Sequence, residues 1–351
     1  MRTDFADQQR DSTEKALADR YTVAEIKSRS TMRLALLLLM ILSTATWASG
    51  PTREPTADEK AMAALWASME TSEDARFRAL AMVAPFNELG GPADLPALVD
   101  AWELGKPDAD AVVLLASLAC GFPPASRLRK VCDDRQLLSR WKQADPANAM
   151  PWLIEAERAQ SRRDFDALRT ALEGVATSTR IEDGYRLTLA TLYDALRGDP
   201  GFSKMAAGQR AAAVFSMAIA IGQAGESNAT KLCPDPSEDP SRIEELGALC
   251  RHLAELMFHT VETSASVALA GANIGMRYAA DPQARVKQGE ELAAIQSLSQ
   301  RFVKEPMFDV PRDNSEFSPQ LAEYLEWVIA QGEVAAMLGW LKRTDSLTAP
   351  A

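Results

Sequence analysis

From residue 57 onward, apolar positions recur at helical spacing, and alternating runs of Val, Ile, Thr or Tyr that would mark strands are few. Thr56-Ala57-Asp58-Glu59 has the form of a capping box, and Met62, Leu65, Trp66 and Met69 follow it as one apolar stripe. The spacing predicts further helices over 73–84, 93–104, 108–119 and 133–143, joined by short polar connections. Tyr185, Leu189, Leu192 and Leu196 mark another, and residues 211–222, apolar on nearly every face, predict the most deeply buried helix. Two stretches interrupt the pattern. Residues 223–242 switch to Gly, Asn, Pro, Asp and Ser, which predicts an exposed loop, and 304–318 forms a second break. The layout is a helical region over 49–222, long helices over 243–303 and a C-terminal loop and hairpin over 304–351. The fold class is all-α.

Within the first region the spacing becomes specific. Trp152, Ala156 and Ala159 lie at i, i+4 and i+7 on one predicted helix, a polar turn follows, and Phe165, Leu168 and Leu172 form a stripe on the next. Small residues let two antiparallel helices approach, and large ones fill the space around them. The arrangement resembles a tetratricopeptide repeat, with Leu168 where that family has Ala and Glu155 where it has Leu. A weaker copy lies at a constant offset of 169 residues, with Leu325, Val328, Val334, Met337 and Leu341 in corresponding positions. The resemblance implies antiparallel hairpins stacked in an irregular right-handed solenoid, whose concave face would hold a protein or peptide partner.

The N-terminal segment is of another kind. Residues 34–42 read LALLLLMIL, preceded by Met32-Arg33 and followed by small and polar residues, which is the layout of a secretory signal peptide over 32–48. The apolar run is too short to span a bilayer, so no membrane anchor is expected after cleavage behind Ala48. Residues 1–31 are a polar extension, and Met32 reads as the natural start. The four cysteines all follow the leader, and an even count in an exported chain points to disulfides. Of three connectivities, the local pairs Cys120 with Cys132 and Cys233 with Cys250 are favoured, because each spans a polar, Pro-containing stretch. This exported, Ala-rich layout with two cysteine pairs also resembles uncharacterised periplasmic proteins of Gram-negative bacteria, which supply no activity to carry over.

Charge narrows the partners. A net charge of -11 and an apolar content of 47% describe an acidic globular chain whose field repels phosphate backbones, so nucleic acid is not expected. Catalytic signatures are missing: there is no GxSxG elbow, Gly-rich phosphate loop or dinucleotide fingerprint. Ser139 and Lys142 match SxxK without its companion motifs. The only histidines, His252 and His259, share one face of a helix with Glu255 and Glu262, the one set of residue types that suits a metal. Amphipathicity alone requires a polar stripe opposite Leu253, Leu256 and Met257, so the expectation is no metal, no cofactor and no catalytic residue. Trp66, Trp102, Trp141, Trp152, Trp327 and Trp340, the tryptophans after the leader, sit at apolar helical positions and are assigned to the core. The sequence predicts a periplasmic or secreted, non-enzymatic interaction module, with a metal-dependent site on the His252 helix as the second reading.

Overall fold

A computed structural model of the chain describes residues 57–83, 95–121, 126–221, 229, 231–233, 235, 241–260, 264–309 and 317–348. The leader expected over 1–48 lies outside them, as does most of the break at 223–242. The described residues form fifteen α-helices and no strand. In chain order these are α1 (Ala57–Glu70), α2 (Ala75–Val83), α3 (Leu95–Leu104), α4 (Ala109–Gly121), α5 (Ser126–Asp134), α6 (Leu137–Ala144), α7 (Met150–Arg162) and α8 (Phe165–Thr177). Then come α9 (Tyr185–Gly198), α10 (Ala207–Ile221), α11 (Ser241–His259), α12 (Ala265–Arg277), α13 (Pro282–Phe302), α14 (Pro319–Gln331) and α15 (Glu333–Thr348). Caps set the starts: Asp164, Ser264, Asp281 and Ser318 each accept a backbone N–H from the first turn of the helix that follows. Pro282 and Pro319 open their helices, where a missing N–H costs nothing.

Three local expectations are corrected. The stretch between Cys120 and Cys132, expected as a loop, contains α5. Its strongly basic sequence weakened the apolar periodicity without removing helix propensity. The single helix expected over 133–143 is two, α5 and α6, because Gln136 adopts a left-handed conformation with φ 51° between them. The most buried helix is α4, with nine buried residues from Ala111 to Cys120, rather than α10, whose Ser216 is exposed. An apolar stretch is buried on all sides only if neighbours surround it, and α4 has α2, α5, α6, α7 and α9 around it.

Packing follows the chain for much of its length. Contacts run from α1 to α2, α2 to α4, α4 to α6, α6 to α7 and α7 to α8, then resume from α8 to α11, α11 to α12 and α12 to α13. In a solenoid each hairpin touches only its neighbours. Here α9 departs from that rule and packs on α1, α2, α4, α10 and α14, so segments far apart in sequence share one core. Its buried set explains the position: Tyr185, Leu189, Leu192 and Leu196, with Thr188 and Thr191, cover more than one face. Both threonine hydroxyls donate to carbonyls one turn earlier, so burying them leaves no donor unpaired.

Both local disulfides are present. Cys120–Cys132 ties the end of α4 to α5, and Cys233–Cys250 ties the segment before α11 to the middle of that helix. Their Cα separations of 5.4 and 5.8 Å suit unforced bridges. The bridges indicate an oxidising compartment. Among the described residues no helix is long and apolar enough to cross a membrane.

Candidate functional site

The α7–α8 hairpin forms where the spacing placed it. Ala156 and Ala159 are fully buried on α7, and the Trp152 ring lies against Gly174 of α8. A Cβ at Gly174 would stand 2.2 Å from Trp152 Cδ2, so only glycine admits the ring. Leu168 and Leu172 are half-buried against the core. Phe165 does not pack there: it is 75% exposed, which corrects its assignment to the hairpin interior. As the first residue of α8 it sits at the turn, directly after the capping Asp164. Glu155, the departure from the repeat pattern, pairs with Lys142 at 2.7 Å, and Lys142 in turn lies 4.0 Å from the centre of the Trp152 ring.

Beside this hairpin α5, α6, α7 and α8 enclose an open hollow of about 370 Å³. Cys132 and Asp133 of α5, Gln136 and Ser139, Arg158 and Arg162 of α7, and Ala167 of α8 line it. Arg158 is the fixed element. Its side chain is 12% exposed and donates to Asp133 Oδ1 at 2.9 Å, to the Cys120 carbonyl at 3.2 Å and to Cys132 Sγ at 3.3 Å. Burial lowers its pKa and the nearby Asp133 carboxylate opposes that, while Arg129 and Arg162 add to the lowering. The SxxK match ends here, because Lys142 is spent on Glu155 and Trp152.

Known proteins offer no guide. The chain matches no family model, no curated protein and no solved structure.

The histidine face resolves into separate surroundings. His252 is half-buried, with Nε2 3.0 Å from the Ser178 carbonyl at the end of α8. Glu255 is exposed, His259 is exposed with its ring edge-on to Phe258, and Glu262 lies outside the described residues. Among the described residues no group of three or more His, Cys, Asp or Glu is placed to hold a metal ion.

What the sequence left unnoticed is a buried polar junction between the segments that follow α6, α8 and α12's predecessor. Asn148, fully buried, accepts from Met150 N and Glu182 N and donates to Asp145 and to the Glu182 carbonyl. It thereby satisfies backbone groups that no helix supplies with partners. Arg180 bridges Asp145 at 2.8 Å and Glu182 at 2.9 Å. Deeper in, Asp183 accepts from Tyr185 N and from Ser264 Oγ, both at 3.0 Å, and Glu333 accepts from Ala265 N at 2.7 Å. Burial pushes Asp183 up to about 6, against the pull of those two hydrogen bonds and with help from Glu182 and Glu333. Burial also raises Glu333. The hydroxyl of Tyr324 is buried without a partner among the described residues, and burial with the Glu333 charge holds its pKa well above the usual range. Asn148, Arg180, Asp183 and Glu333 are thus bonded to backbone groups or neighbouring side chains. Their signal in sequence was weak, since Glu182, Asp183, Ser264 and Glu333 lie in separate loops and helix starts with no shared spacing.

Proposed function

We propose that the chain is an exported, periplasmic and non-enzymatic adaptor, in which irregular tetratricopeptide-like hairpins form a solenoid interrupted by α9 and α10 and hold a protein or peptide partner. The observation that carries this reading is the open hollow formed where four consecutive helices meet, on the flank of the hairpin that has the repeat spacing. Two disulfides support export. The two carboxylates whose pKa burial raises, Asp183 and Glu333, are committed to internal donors, the use expected of structural groups. A photoreactive amino acid placed at Gln136, on the wall of the hollow, should give a discrete cross-linked product in intact cells, and the same group at exposed Val286 of α13 should not. Equal products from both positions, or none from Gln136, would remove the adaptor reading. An alkaline-phosphatase fusion carrying residues 32–60 should be active outside the cytoplasm; inactive but well-expressed fusion protein would remove the compartment.

A further inference from the structure

The Cys120–Cys132 bridge carries a guanidinium on one of its sulfurs. Arg158 Nη2 donates to Cys132 Sγ at 3.3 Å and to the Cys120 carbonyl at 3.2 Å, while Nη1 pairs with Asp133 at 2.9 Å. A disulfide sulfur is a weak acceptor, so an N–H of a largely buried cation is used on a contact that contributes little. Asp133 neutralises the charge only in part, because it is 58% exposed and burial outweighs its pull on Arg158. A thiolate at Cys132 would turn the weak contact into a charge-assisted one. It would also offset the last turns of α4 and α5, where the two cysteines lie and where free carbonyls disfavour a thiolate without such a cation.

The bridge also lies in a part of the fold that opens easily. Cys132 is buried, but it belongs to the wall of the open hollow, next to Asp133, Gln136 and Arg158. Its helix α5 has nine residues and packs chiefly on α4 and α6. The buried side of α5 is thin: Leu128 is half-buried, Val131 and Cys132 are buried, and Arg129, Lys130, Asp133 and Asp134 are exposed. Few buried apolar contacts mean a low free energy of local opening, which brings the sulfur within reach of a reagent in the hollow. The other bridge differs. Cys233 and Cys250 are fully buried, and Cys250 lies in the middle of α11, which α8 and α12 cover. The sequence separations of 12 and 17 give the two bridges similar loop entropies, so their surroundings decide which is reduced first.

We infer that Cys120–Cys132 is a redox-exchangeable disulfide, opened from the hollow by a dithiol reductant and leaving Cys132 as a thiolate held by Arg158. This does not depend on the adaptor reading. A thiolate of the reductant, its proton released to water, attacks Cys132 Sγ; the S–S bond breaks, and Cys120 leaves with the electron pair and takes a proton from water. The second thiol of the reductant, deprotonated in the same way, attacks its own sulfur in the mixed disulfide and expels Cys132. Arg158 acts on this second step, because a stabilised thiolate leaves faster. Two electrons have then passed: the bridge is reduced to a thiol and a thiolate, the dithiol is oxidised to a disulfide, and one proton is released. Reduction unties α5 from the end of α4, so the wall of the hollow follows the redox state.

The test equilibrates the full chain, both bridges formed, in mixtures of reduced and oxidised dithiothreitol, followed by acid quenching, alkylation and peptide mass spectrometry that reads each bridge separately. Cys120–Cys132 should be half-reduced at a reduced-to-oxidised ratio at least about tenfold lower than Cys233–Cys250 requires. In the reduced chain, the pH profile of iodoacetamide alkylation should place Cys132 below the ordinary thiol range and Cys120 not. Arg158→Met should raise the ratio needed for half-reduction about tenfold, whereas Asp133→Asn, which removes the competing carboxylate at an exposed site, should lower it about threefold. The opposite signs separate this role from a merely structural one, since an Arg158 that only braced α5 would make reduction easier when lost. With glutathione, a monothiol, the mixed disulfide should be found on Cys132. Reduction of both bridges at one ratio, easier reduction of Arg158→Met, or a Cys132 thiol in the ordinary range would each overturn the proposal. Should Arg158→Met fail to fold, harder reduction of Asp133→Asn would overturn it equally.

Discussion

The α7–α8 and α14–α15 hairpins share their residue spacing and differ in nearly everything that surrounds it. At the constant offset, Ala156 and Ala159 correspond to Leu325 and Val328, and all four are buried. Leu168 and Leu172 are half-buried, whereas Met337 and Leu341 are buried; Phe165 is exposed, whereas Val334 is half-buried against the core. The second hairpin lies under α9, α10 and α13, with Phe302, Phe308 and Phe215 gathered around Tyr324 and Trp340 beyond it. The first has α6 and α11 beside it and an open hollow along one flank. The turns differ too. Arg163, with φ 58°, makes the first, and Gly332, at φ 83° and ψ 161°, makes the second in a region that side chains do not enter. The shared spacing thus accompanies two paired helices in both places, and leaves open what their outer surfaces meet.

The sharpest way to break this comparison is to truncate one tryptophan in each hairpin. Trp340→Ala, from a site 2% exposed, should cost about 3 to 5 kcal/mol in a denaturant melt, while half-buried Trp152→Ala should cost roughly half as much. Equal costs would mean the two hairpins are embedded alike. Next in size, replacing Cys120 and Cys132 by Ala should destabilise by about 3 kcal/mol on the chain-entropy account of a 12-residue separation, and it should loosen the wall that holds Arg158. Differential scanning calorimetry of the pair variant against the unreduced parent checks it.

The polar junction connects the two hairpins, since Asp183 follows α8 and Glu333 opens α15. Asp183 has a raised native pKa, so between its ordinary value of 3.8 and about 6 the folded protein binds more protons than the unfolded chain. Stability from the neutral carboxyl is therefore full below about pH 4 and is lost as pH rises through about 6. Asp183→Asn keeps an acceptor for Tyr185 N and meets Ser264 Oγ with an amide. It should stabilise the protein by up to about 2 to 3 kcal/mol at pH 7 and have little effect near pH 4. Parallel melts at the two pH values decide this, and a uniform loss at both would show that the charge itself is required. Gly332→Ala should cost about 1 to 3 kcal/mol through backbone strain alone. Smallest of all, Phe165→Ala should change stability by no more than about 0.5 kcal/mol, measurable as coincident urea midpoints.

Much of the helical content was legible in the order of residues. Helix period and an intervening polar turn placed the α7–α8 and α14–α15 hairpins, and local spacing placed both disulfides, because each of those features depends on residues close in sequence. Basic α5 was hidden, since a helix recognised by its apolar stripe is missed when that stripe is thin. The hollow was not visible: Cys132 and Asp133, Gln136 and Ser139, Arg158 and Arg162, and Ala167 come from four helices and meet only in the folded chain. His252 shows the reverse case, a residue assigned to a shared face that spends its ring nitrogen on the Ser178 carbonyl of another helix.

By itself, the sequence determined that the described residues are helical, roughly where several of their helices lie, and which cysteines lie near enough to bridge. The tertiary structure decided which apolar faces are covered, as with exposed Phe165 against buried Met337, and which charges meet, as with Asp183, Ser264 and Glu333. Helix formation is governed by hydrogen bonds and side chains within one or two turns, so local sequence suffices to specify it. Burial and electrostatic environment are properties of whatever packs from elsewhere in the chain, and α9, crossing from the first helices to α14, supplies much of that environment here.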